Sequence, residues 1–195
     1  MSETLYRSAA GLELRSSGDG RTIEGIAVPY GVPQMIDEHL TEMFEAGAFA
    51  DQLMTAHRAA APGRPPNYRV HLSREHHKLG GAVIGKAVEL REDASGLYTA
   101  LRVAKTPAGD EALELAREGV LDELSVGFRA LPGGSRRRGD GIVVRHRAGL
   151  FEVALVMQGA YGREAVVTGV RSAAEDADAQ ARARADAHAL DLALL

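Results

Sequence analysis

The chain has 195 residues and no cysteine, with 45% hydrophobic residues, 26% charged residues and a formal net charge of -4. That length suffices for one ordinary domain burying roughly 70% of the surface its unfolded chain exposes, and the absent thiols exclude a disulfide framework, a thiolate metal site and a cysteine nucleophile. The small negative charge gives no basis for binding nucleic acid or an anionic membrane. The mixed polar opening MSETLYRSAAGLELRSS and the lack of any run of about 18 apolar residues lead us to expect a cytoplasmic globular protein.

Thr22 to Pro33 reads as a strand running into turns, punctuated by Gly25, Pro29, Gly31 and Pro33. A helix is predicted over Ala48 to Arg58, with Phe49, Leu53, Met54 and Ala56 on its packing face, and APGRPP (Ala61 to Pro66) stops it. Tyr68 to Leu72, Ala82 to Leu90 and Leu97 to Val103 read as strands, the last pair joined by REDASG, which has hairpin chemistry. Thr106 to Gly119 is a second helix: Thr106 is its N-cap, Pro107 sits in the first turn, Gly119 closes it, and Ala112, Leu113, Leu115 and Ala116 form its buried stripe. Leu124 to Leu131 and Gly141 to Arg147 follow as strands joined by PGGSRRRGDG, a loop expected to be exposed and mobile. Phe151 to Met157 and Ala165 to Val170 complete five to seven strands with two inserted helices, a pattern that predicts a mixed, mainly antiparallel sheet or barrel.

Composition changes at Ser172. From there to Leu195 ten of 24 residues are alanine and five are acidic against two arginines, so the tail carries -3 of the net -4. The expected division is a domain over 1–171 and an alanine-rich charged tail over 172–195, a marginal helix or disordered because it lacks a broad apolar face.

Two segments stand out chemically. Among nine serines, Ser125 alone has aliphatic neighbours on both sides, in VLDELSVGFRAL. The bland reading is a small buried residue. The functional reading is a nucleophile, with Gly127 allowing close approach and Arg129 on the same strand face as an anion stabiliser. VHLSREHHKLGG holds three of the seven histidines. A polar surface loop, a general base for a distant serine, and a metal site using His71, Glu75, His76 and His77 compete for it, the last without helical HExxH spacing.

Six motifs occur in one order: EAGAF (Glu45 to Phe49), V-x5-His (Val70 to His76), IGKA, DxxGLY (Asp93 to Tyr98), LSVGFR (Leu124 to Arg129) and LFEVALV (Leu150 to Val156). Over roughly Ile23 to Val170 the chain thereby resembles the prohead serine proteases of tailed bacteriophages of the HK97 type and their gene-transfer-agent relatives. The resemblance implies an α+β fold with a mainly antiparallel β-barrel core flanked by helices, similar to the herpesvirus assemblins. It implies a serine endopeptidase without cofactor that cleaves scaffolding segments from capsid proteins during head maturation. Its implied partners are the major capsid protein with its scaffold segment and further copies of itself. Its implied location is the assembling prohead in the host cytoplasm.

On the matching positions, the resemblance makes Ser125 the nucleophile and His76 the base. The family's Asn-His-Asp triplet reads Glu75-His76-His77 here, so His77 is the alternative, while Val70 six residues earlier favours His76. Glu152 is the implied third member, with His146 as alternative, and both would share one face if alternation runs unbroken between them. Oxyanion stabilisation falls to amides near Gly127 and to Arg129. Glu45 and Phe49 read as structural, Gly47 making a turn and Phe49 anchoring a helix. The tail is a docking element or a self-cleaved segment. The rival readings are a catalytically inactive capsid-assembly or scaffold protein and a histidine-metal hydrolase.

Overall fold

The computed structural model describes residues 4–10, 20–76, 80–157 and 167–171. In chain order its strands and helices are β1 (Thr4–Ala10), β2 (Thr22–Pro29), β3 (Gln34–Met35), β4 (Thr41–Phe44), α1 (Ala50–Arg58), β5 (His71–Arg74), β6 (Ala82–Glu92), β7 (Gly96–Val103), α2 (Pro107–Arg117), β8 (Glu123–Ala130), β9 (Ser135–Arg137), β10 (Val143–Arg145), β11 (Ala148–Val156) and β12 (Val167–Arg171). No helix among the described residues is long and apolar enough to cross a membrane.

Eight strands form one sheet in the order β1-β8-β11-β5-β6-β7-β2-β12. Its neighbours are antiparallel except β5 and β11, which run parallel. Near its far edge β2 touches both β1 and β8, so the sheet curls into a half-barrel around its apolar face. A four-stranded sheet, β3-β4-β10-β9, lies beside it. The mainly antiparallel architecture expected from strand periodicity is therefore present, with two parallel pairings, β5 with β11 and β4 with β10, that alternation alone does not reveal.

Local chemistry accounts for the helices. Thr106 caps α2 by accepting from the Gly109 amide at 3.2 Å, Pro107 occupies the first turn, and Gly119 turns the chain away at φ 70. Its Ala112, Leu113 and Ala116 are buried. α1 has no side-chain cap of its own at Phe49. The Glu92 carboxylate instead accepts from the Gly47 and Phe49 amides, each at 3.0 Å, and from the Tyr30 hydroxyl. That carboxylate at a helix N-terminus supplies both hydrogen bonds and favourable charge. Leu53 and Ala56 face inward, whereas Met54, expected on the packing face, is exposed. Phe49 joins Phe44 (5.5 Å, stacked) and Phe128 meets Phe44 edge-on (5.0 Å), an aromatic centre to the core that is worth roughly 1.5–3 kcal/mol for each ring buried.

PGGSRRRGDG departs from the expected loop. Ser135–Arg137 pairs antiparallel with β10, and Arg136 grips Glu45 through two bonds of 2.8 and 2.5 Å. The guanidinium holds the Glu45 carboxyl below its usual range. A hairpin forms because strand pairing and local ion pairs, Arg138 with Asp140 among them, need no apolar residues. His77, the tail from Ser172 and residues 165–166 of the last expected strand lie outside the described residues; 167–171 form β12, paired with β2.

Candidate active site

Strand alternation in β8 sends Leu124, Val126 and Phe128 into the core, which leaves Ser125 and Gly127 on the opposite face. β11 lies between β8 and β5, with Ala154 opposite Ser125 on one side and Ser73 on the other, and Glu152 opposite Gly127 and His71. Both Leu150 and Glu152 would face the core if alternation were regular. A bulge between them breaks it: Leu150 pairs with Phe128 and stays in the core, while Glu152 pairs with Gly127 and turns to the other face. The bulged peptide is secured from α1, where the Gln52 amide accepts from the Leu150 N–H and donates to the Leu150 carbonyl, both at 2.8 Å.

His76 reaches this row from the end of β5. Glu75 adopts φ 55 and donates its N–H to the Leu155 carbonyl at 3.0 Å, and the His76 carbonyl accepts from Gly81 at 3.0 Å. The imidazole is thereby set between two groups. Its Nε2 lies 2.6 Å from Ser125 Oγ and its Nδ1 lies 3.0 Å from Glu152 Oε2. With Nδ1 protonated and donating to the carboxylate, Nε2 presents its lone pair to the serine hydroxyl, the arrangement a general base needs. The three side chains are buried: Ser125 is 3% exposed, His76 7% and Glu152 0%. Among the described residues no group of three or more His, Asp or Glu is disposed to hold a metal ion.

A sequence profile described as caudovirus prohead serine protease matches residues 10–179. The chain belongs to that family. Prohead maturation by a serine protease is therefore its activity class, and Ser125, His76 and Glu152 all lie inside the matched region. Among solved structures, the bacteriophage T4 capsid assembly protease, gp21, is similar to this protease at 12% identity and TM-score 0.53, covering 80% of this chain and 98% of that one. At such identity the likeness is one of fold. No curated protein matches the chain significantly.

The structure brings Ser125, His76 and Glu152 together, with Gly127 against Glu152. His146 lies in the bend between β10 and β11, where its N–H donates to the Gly134 carbonyl at 3.0 Å. The expected shared face with Glu152 fails because His146 precedes the strand and the bulge intervenes. Arg129 is exposed and stacks over Phe151 at 4.9 Å. Its Cα stands about 13 Å along the strand from that of Ser125. Gly127 sits in the ladder between β1 and β11, and what it offers is space: a Cβ there would lie 2.8 Å from the Phe151 ring and 3.0 Å from Glu152 Oε2. Glu45 ties Arg136 and Phe49 anchors α1, both structural as expected. The sequence reading missed Ser73, whose hydroxyl donates to Glu152 Oε1 at 2.5 Å. Its only signal was a position two residues after His71, one residue beyond the strand predicted over Tyr68 to Leu72.

Proposed function

We propose that Ser125, His76 and Glu152 are the nucleophile, base and orienting acid of an endopeptidase that cleaves scaffolding segments from capsid subunits inside the assembling prohead. The distances of 2.6 Å from His76 to Ser125 and 3.0 Å from His76 to Glu152 carry this reading. Ser125 Oγ attacks the scissile carbonyl carbon while its proton moves to His76 Nε2, and Glu152 stabilises the imidazolium through Nδ1–H. When the intermediate collapses, the C–N bond breaks and His76 returns the proton to the leaving amine. Water then repeats the sequence on the acyl-enzyme, releasing the carboxylic acid and regenerating Ser125. The substrate class is supported by membership of the prohead proteases and by the fold shared with a capsid assembly protease. The curled sheet flanked by two helices supports the assemblin-like architecture implied by the sequence resemblance.

The test is Ser125→Ala against the cognate capsid subunit, with products read by mass spectrometry. Cleavage should fall by roughly four orders of magnitude or more while the fold persists. A folded Ser125→Ala protein that still cleaves would overturn the assignment, and a wild-type protein with no turnover would favour the inactive scaffold reading.

A further inference from the structure

Beyond the three residues already assigned roles, we propose that Ser73 is a positioning residue of this protease: its hydroxyl holds one oxygen of Glu152 so that the other stays turned to His76. The inference rests on the reading of Ser125, His76 and Glu152 given above. Glu152 is fully buried, and a buried carboxylate is tolerated only when hydrogen bonds replace its lost hydration. The two oxygens have different company. Oε2 faces His76 Nδ1 at 3.0 Å, whereas Oε1 accepts from Ser73 Oγ at 2.5 Å and lies 3.3 Å from His71 Nε2. The terminal torsion of a glutamate is broad, so intrinsic rotamer preference does not fix the angle at which the carboxylate plane meets the base. The Ser73 hydroxyl does, and without it the neighbouring His71 ring is the partner toward which the carboxylate would turn.

Register makes this placement specific. Ser73, Ala154 and Ser125 form one row across β5, β11 and β8, with only the methyl group of Ala154 between the two serines. A buried serine in a strand ordinarily satisfies its hydroxyl on nearby backbone. Ser73, also fully buried, instead donates to a carboxylate 79 residues away in sequence. The benefit arises when the proton reaches His76, because the imidazolium then needs a carboxylate lone pair aimed at Nδ1–H. Losing the hydroxyl should therefore slow the chemical step and leave substrate binding in place.

The probe is a fluorophosphonate, with which Ser125 Oγ forms a bond to phosphorus, fluoride departs and the proton passes to His76. Ser73→Ala should still fold cooperatively, melting below wild type because a buried carboxylate loses a hydrogen bond, and be labelled at Ser125 about ten- to a hundredfold more slowly, as expected for loss of a hydrogen bond to a charged group. With a cleavable peptide, kcat should fall by the same factor at unchanged KM. The low-field proton resonance of His76 Nδ1–H should move. Ser73→Thr, which keeps the hydroxyl, should recover most of the rate. Labelling of Ser73→Ala at wild-type speed with an unmoved resonance, or a folded Ser73→Thr as slow as Ser73→Ala, overturns the role of Ser73 while leaving the nucleophile assignment intact. Failure of the wild-type protein to be labelled at Ser125 at all overturns the assignment on which the proposal rests.

Discussion

Glu75 stands immediately before the proposed base with φ 55, a left-handed conformation that costs a residue with a Cβ roughly 1 kcal/mol. Asparagine, the residue that the resemblance carries at this position, tolerates that conformation better because its short side chain bonds locally. The Glu75 side chain is exposed, so replacing it disturbs no packing. Glu75→Asn should therefore raise stability by roughly 0.5–1 kcal/mol, read as a higher urea midpoint, with peptide cleavage unchanged. A lower midpoint would mean that the turn gains more from glutamate than its backbone loses. The altered triplet, a source of doubt at the level of sequence, thus becomes a question of backbone strain. Ser125, His76 and Glu152 could be named together because the family resemblance carries those three positions, and the structure places them within hydrogen-bond reach. Ser73 could not be, since a hydroxyl becomes a partner of Glu152 only once the register of β5 against β11 is known.

At the scale of elements, two anchoring contacts are open to test. The bulge in β11 aims Glu152, and Gln52 satisfies the Leu150 peptide on both its N–H and its carbonyl. Gln52→Leu keeps the volume and strands both groups, so it should destabilise the protein by roughly 1–3 kcal/mol and reduce cleavage, measured by urea unfolding and a peptide assay. Unchanged cleavage in that variant would show that the bulge holds its shape without α1. The second anchor is Glu92, which joins the start of α1 to Tyr30. Burial first, then the hydrogen bond and negative charge of Glu92, push the Tyr30 phenol far above its ordinary value. A raised folded-state value means that this contribution to stability is fully present below about pH 10, where the unfolded phenol titrates, and is lost as pH rises above it. Tyr30→Phe should flatten the alkaline limb of the stability profile, and a limb as steep as wild type would point to other groups. Sequence periodicity found α2 and the β6–β7 hairpin because caps and turn residues are local. It missed the bulge, where Leu150 and Glu152 share a parity in sequence but oppose each other in space, and β9, whose pairing is held by backbone and charge rather than apolar side chains.

For the whole molecule, the sheet ends with β12 at Arg171, paired to β2, and the composition shifts at the next residue. We propose that the protease domain spans 1–171 and that 172–195 is an accessory tail serving docking or self-cleavage, although the family match runs on to residue 179. A chain ending at Arg171 should fold and cleave a short peptide at close to the full-length rate. Loss of peptidase activity in that folded truncation would assign the tail to the catalytic domain. The mainly antiparallel character of the sheet was readable from alternation, but its strand order was not, because the parallel insertion of β11 beside β5 pairs Glu152 with His71, residues far apart in the sequence. That insertion also sets a clock. Protein synthesis proceeds from the N-terminus and long-range pairings form late, so a nascent chain that has exposed β5 and β8 holds histidine and serine on strands with an unfilled lane between them. Only when β11 leaves the ribosome and occupies that lane do the proposed nucleophile, base and acid meet. On the proposed assignment the enzyme should thus be inactive until β11 has emerged, and a ribosome stalled before Ala148 should carry a chain without hydrolase activity.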